Sequence, residues 1–106
     1  MNLNKLTIEE NNILELLKTV IDPEVAVNVV DLGLIYEIHH SEAENTIQVV
    51  CTLSSRGCPL GDVIMKNMEV VIENVYPVYN INIELTWEPE WNPDMITEAG
   101  RIAIDS

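Results

Sequence analysis

Basic residues are scarce in this chain: 5 Lys and Arg stand against 18 Asp and Glu, a formal charge of −13 at pH 7. Binding to a phosphate backbone requires a basic surface that displaces counterions, so nucleic acid is excluded as a partner class. The acidity suits solubility, repulsion from anionic membranes or docking onto a basic protein, and charge alone does not choose among them. Two cysteines are too few for a disulfide scaffold, and Cys51 and Cys58 lack the close spacing of a zinc knuckle. No stretch reaches the roughly 18 apolar residues of a membrane span. The opening Met1-Asn2-Leu3-Asn4-Lys5 carries no long apolar run either, so the expectation is a cytoplasmic protein with no membrane partner. Repeats, low-complexity segments and linkers are also missing. What is present is 106 residues of 47% hydrophobic content, enough to build one core, and residues 1–106 read as a single domain.

The pattern changes character at Leu53-Ser54-Ser55-Arg56-Gly57-Cys58-Pro59-Leu60. Upstream, Ile47, Val49, Cys51 and Leu53 alternate with Thr46, Gln48, Val50 and Thr52, the period of a strand. Downstream, Leu60, Ile64, Met68, Val71, Ile72 and Val75 recur at helical steps, predicting a helix over 59–75 with Pro59 at its first position and Cys58 at the N-cap. A sulfur there meets unpaired N–H groups and the positive end of the helix dipole, which favour thiolate. Reactive cysteines in such places have pKa values lowered from about 8.5 to roughly 3.5–7.5. Arg56 adds to the effect if it points inward. The alternative is that Cys58 is a poor cap filling a small gap. Cys51, on the apolar face of its strand, reads as packing.

In chain order, Thr7-Ile8-Glu9-Glu10 is a capping box opening a helix over 8–20, with Ile13, Leu14, Leu16, Leu17 and Val20 as its apolar stripe. Pro23 and Gly33 bracket an irregular connection that is too apolar for a solvated loop yet carries Asp22, Glu24 and Asp31. Asp22 and Asp31 read either as turn caps or as functional acids; Glu24 has no obvious capping role. Residues 34–40 read as a strand, returned by the turn 41–45 into the Ile47 strand. His39 and His40 are adjacent, face opposite sides of that strand and read as solvated rather than as metal ligands. Tyr79, Ile81, Ile83, Leu85 and Trp87 mark a third strand, and Asn92-Pro93 opens a terminal helix over 93–103. Trp91, between Pro89 and Pro93, reads as a lid on the core or as a docking anchor. The sum is a small α+β two-layer sandwich in the order α-β-β-α-β-α, with helices on one face of a mostly antiparallel three-stranded sheet.

Four ordered blocks carry a resemblance: Asp22-Pro23-Glu24-Val25; Asn28 to Tyr36; Thr52-Leu53 with Gly57-Cys58-Pro59-Leu60; and Trp87-Glu88-Pro89 with Trp91 to Ile96. Together they resemble the SufT/PaaD-type domain of iron-sulfur protein maturation, shared with eukaryotic cytosolic iron-sulfur targeting factors, over about residues 8–103. The resemblance implies a small pocket lined by the acidic loop and the cysteine loop, with Asp22, Glu24, Thr52 and Cys58 at its matching positions. Where the family usually has Thr-Thr-Pro, this chain has Ser54-Ser55-Arg56, which keeps the hydroxyls, frees the loop and adds a charge.

The function expected from this resemblance is that of a non-enzymatic accessory factor in cluster assembly or transfer, working with the assembly machinery and client apo-proteins. No tightly bound cofactor is expected. A cluster usually takes four thiolates, so Cys58 would be a transient ligand for iron or a cluster, with Asp22 and Glu24 completing a mixed sulfur and oxygen site. Stable holding would need a homodimer, a partner's cysteines or an outside thiol. The alternatives are a PaaD-like adaptor, in which Cys58 is structural, and a thiol enzyme. The enzyme is disfavoured because His39 and His40, the only histidines, lie on a hairpin with no evident route to Cys58.

Overall fold

The computed structural model describes residues 5–57 and 59–105. Helix α1 spans Ile8–Leu17 and opens on the expected capping box: the Thr7 hydroxyl accepts from the Glu10 amide, and the Glu10 carboxylate accepts from the Thr7 amide. The other oxygen of Glu10 accepts from the His40 amide at 2.9 Å, which ties the helix start to the sheet. Burial works against charge on Glu10, yet the donors from His40 and Thr7 outweigh it and hold its carboxyl below the ordinary value. The helix stops three residues before the sequence reading because Thr19 and Val20 donate to Leu16 and Leu17, a tighter last turn.

The connection expected to be irregular contains a short ladder. Strands β1 (Ile21–Asp22) and β2 (Val27–Asn28) pair antiparallel, with Ile21 opposite Asn28 and Asp22 opposite Val27. Two-residue strands carry no legible alternation, so the pattern could not announce them. Strand β3 (Ile35–Ser41) and strand β4 (Thr46–Cys51) form the expected hairpin, turned by Asn45 at a φ of 56°. The register shifts between Ile35 and Glu37, leaving Tyr36 as the extra residue of a bulge. Its hydroxyl donates to the Pro89 carbonyl at 2.7 Å, which fastens the distant 86–91 segment to the sheet.

Helix α2 (Gly61–Val75) carries the chain across to strand β5 (Asn80–Leu85), which lies parallel to β4. The three-stranded sheet therefore runs β3-β4-β5 with one antiparallel and one parallel pairing, because an intervening helix returns the chain to the same end of the sheet. Helices α1 and α2 pack on each other, α1 against β3 and α2 against β5. Ile13 and Leu17, Ile64, Met68 and Ile72, and Ile47, Val49 and Cys51 fill the layer between, all essentially inaccessible. This is the α+β sandwich expected from the sequence.

Two helix boundaries depart from expectation. The N-cap of α2 is Leu60, with no side-chain cap, so neither Cys58 at the N-cap nor Pro59 at the first helical position holds. The helix begins where its backbone closes on the sheet: a Cβ on Gly61 would stand 2.6 Å from a methyl of Leu53. The segment expected as one helix over 93–103 is divided. Asn92 caps a single 3-10 turn at Pro93–Met95, Ile96 is extended, and helix α3 (Glu98–Asp105) starts afresh with the Thr97 hydroxyl accepting from the Gly100 amide.

Gly33 combines a φ of +80° with direct contact between its missing side-chain position and the Met95 backbone. Gly33→Ala is expected to lower unfolding free energy by about 3 kcal/mol, from left-handed strain and overpacking together, measured by urea denaturation.

Candidate functional site

The acidic loop is built by its own backbone. Asp22 is 4% exposed; its Oδ1 accepts from the Glu24 amide at 2.9 Å and its carbonyl accepts from the Ala26 amide at 2.8 Å. Ala26 closes the turn at a φ of 58°, an unusual conformation for a residue with a Cβ. Glu24, carried on this turn, is exposed, and its carboxylate makes no hydrogen bond or ion pair among the described residues. Asp31 plays a structural part. It accepts from the Asn28 amide side chain at 2.7 Å and from the Thr97 hydroxyl at 2.9 Å, while its carbonyl accepts from the Thr97 amide. Of the three carboxylates, only Asp22 and Glu24 face a concavity.

That concavity holds about 340 Å³. Its apolar walls are Val25, Leu32, Leu34, Trp91, Ile96 and Ile104, and its polar groups are Asp22, Glu24 and Ser54. Trp91 is the expected lid: its indole N–H donates to the Leu32 carbonyl at 2.7 Å and its ring packs against the core. A second hollow of about 360 Å³ lies between Leu53-Ser54-Ser55-Arg56 and the Trp87-to-Trp91 segment, sharing Ser54 and Trp91 with the first. Arg56 is exposed, with its guanidinium 4.6 Å from the centroid of the Trp87 ring. Such a contact stabilises by about 0.5–1 kcal/mol at an exposed site, and it ties the 54–56 loop to the Trp87 segment.

The structure thus brings the acidic loop and the first part of the cysteine loop to one groove, meeting at Ser54. Cys58 itself lies outside the described residues. Thr52 does not line the groove: it is wholly buried, and its amide donates to the Leu34 carbonyl. Two contributions escaped the sequence reading: Ile104 lies beyond the expected helix end, and the Arg56–Trp87 stack joins two segments with no local signal linking them.

Residues 10–84 match the family model described as iron-sulfur cluster assembly protein. The chain belongs to that family. It is 40% identical to an Fe-S protein maturation auxiliary factor of Porphyromonas gingivalis, over 95% of each chain. With the Fe-S protein maturation auxiliary factor SufT of Staphylococcus aureus it shares 33% identity over 80% of this chain and 96% of the relative. A crystal structure of a domain of unknown function from Bacillus anthracis superposes with a TM-score of 0.84 at 32% identity, covering 91% of each chain.

Cys51 is wholly buried on β4, and loss of solvation pushes its thiol from 9.0 up to about 12. It is packing, as its strand position suggested. The histidines are placed at the other end of the hairpin: His39 Nε2 lies 2.8 Å from Glu37, and His40 Nε2 lies 3.1 Å from the Tyr79 hydroxyl in a cluster with Tyr76. Neither lines the groove. Among the described residues no three His, Cys, Asp or Glu side chains converge as a metal-ligand set, and no helix is long and apolar enough to cross a membrane.

Three outcomes test this description. In native Cys58→Ala protein at about pH 8, a thiol reagent should find no reactive group, and Cys51 should react only once urea exposes it. Because the unfolded thiol ionises first, the stability contributed by burying Cys51 is present below about pH 9 and is lost as pH rises towards 12. Trp91→Phe should cost about 1 kcal/mol by leaving the Leu32 carbonyl without its donor, read by thermal unfolding.

Proposed function

We propose that this protein is a non-catalytic accessory factor that assists assembly of iron-sulfur clusters or their delivery to client apo-proteins, with Cys58 as a transient thiolate ligand for the cargo. Family membership supports the general role, and the auxiliary-factor relatives support its direction. The observation that carries the finer reading is the shared groove: Asp22 and Glu24 from one loop and Ser54 from the cysteine loop line the same space.

Ligand arithmetic sets the character of the role. Clusters usually take four thiolates, and with Cys51 sealed in the core the chain has Cys58 alone to offer. Cargo is therefore handed on rather than kept. Each exchange breaks one iron–sulfur bond to a donor thiolate and forms one to Cys58, then reverses the roles at the client. The carboxylates of Asp22 and Glu24 are hard oxygen donors suited to iron during that exchange, and further ligands come from the assembly machinery, the client, a second copy or a small thiol. No stored cofactor is required.

A PaaD-like adaptor is the second reading, and the helix boundary favours it. With Leu60 at the N-cap of α2, the dipole argument for a lowered Cys58 pKa loses its basis. Transfer of a cluster to a cysteine-ligated apo-client, assayed without oxygen, separates the two. Cys58→Ala should slow transfer by about tenfold or more while leaving the fold intact. Equal rates for wild type and Cys58→Ala, with equal iron and sulfide recovered, would leave only the adaptor.

A further inference from the structure

The groove beside Asp22 and Glu24 carries an inference that rests on the delivery reading above and names what its clients must present. We infer that it is the docking site for a client segment bearing a bulky apolar side chain next to a lysine or arginine. At about 340 Å³ it lies near the lower end of ligand pockets, roughly 300–1,000 Å³, with room for a side chain or two. Its walls are apolar and unfilled by the described residues: Val25 remains 43% exposed and Ile104 42% exposed. They are also fixed in advance. Trp91 is bonded to the Leu32 carbonyl, and α3 is seated by Thr97 on Asp31 and by Arg101 donating to the Pro93 carbonyl at 2.8 Å.

Charge selects the occupant. Among the described residues, the charged ones lining the groove are Asp22 and Glu24, with no cation. Asp22 is buried and spends an oxygen on the Glu24 amide, whereas the Glu24 carboxylate is exposed and unpaired among the described residues. An apolar side chain in the groove sets its neighbour beside that carboxylate, where a cation is favoured and an acid repelled. A second copy of this chain is disfavoured for the same reason: a two-fold contact would bring Glu24 and its acidic surroundings against themselves in a chain of charge −13.

Selection from a display library of random nonapeptides against the full chain tests the inference. The expected result is enrichment of an aliphatic or aromatic residue directly beside lysine or arginine. The selected peptide, titrated by tryptophan fluorescence, should bind Glu24→Lys and Ile104→Asn at least about tenfold more weakly, and reselection on Glu24→Lys should favour acidic neighbours. Both substituted residues are exposed, so melting temperatures should stay close to wild type, and Cys58→Ala should bind the peptide as wild type does. The inference is overturned by enrichment of acidic or purely polar peptides, by no enrichment at all, by affinity indifferent to both substitutions, or by a sedimentation dimer that Ile104→Asn dissolves. Failure of the delivery reading looks different: Cys58→Ala would then transfer clusters normally while peptide binding persists.

Discussion

Asp31 holds the two halves of the candidate site together. Its carboxylate takes the Thr97 hydroxyl on one oxygen and the Asn28 side chain on the other, and its carbonyl takes the Thr97 amide. Gly100 then packs so close to that carbonyl that a Cβ would approach it to 2.8 Å. The strap from Trp91 to Ile104 is thereby laid against the acidic loop, and three of the groove's walls, Trp91, Ile96 and Ile104, come from that strap. Without this junction the acidic loop would face solvent and the groove would have no far side.

The chemistry of the junction follows from the composition. A chain with 18 acids and 5 Lys and Arg cannot neutralise its carboxylates by ion pairing, so the structurally important ones are satisfied by neutral donors. Glu10 uses the amides of Thr7 and His40, Asp22 the amide of Glu24, and Asp31 a hydroxyl and a carboxamide. The ion pairs among the described residues are exposed and contribute little, about 0–1 kcal/mol each. Arg56, with no carboxylate partner among the described residues, is spent on an aromatic face. Glu24 stands apart as a carboxylate at the groove with no donor among the described residues.

Cys51 illustrates how position in the sandwich decides chemistry. Cys51 belongs to the central strand, paired on both sides and covered by the helix layer, so solvation is lost and ionisation is suppressed. The strand alternation thus withdraws Cys51 from solvent.

How much of this was legible depends on the range of the forces involved. Local pattern determined the capping box at Thr7 and Glu10, the alternation of Ile47, Val49 and Cys51, the stripe of Ile64, Met68 and Ile72, and hence the α+β sandwich, because period and capping act within a few residues. The ordered blocks around Asp22, Gly57 and Trp91 determined the family. Only the tertiary structure decided that β5 runs parallel to β4, that α2 starts at Gly61, that Asp31 is spent on Thr97 and that Ile104 closes the groove beside Glu24. Each of these joins distant segments, 66 residues apart in the case of Asp31 and Thr97, and is set by which surfaces can close on one another in the packed core, a competition that no window of sequence contains.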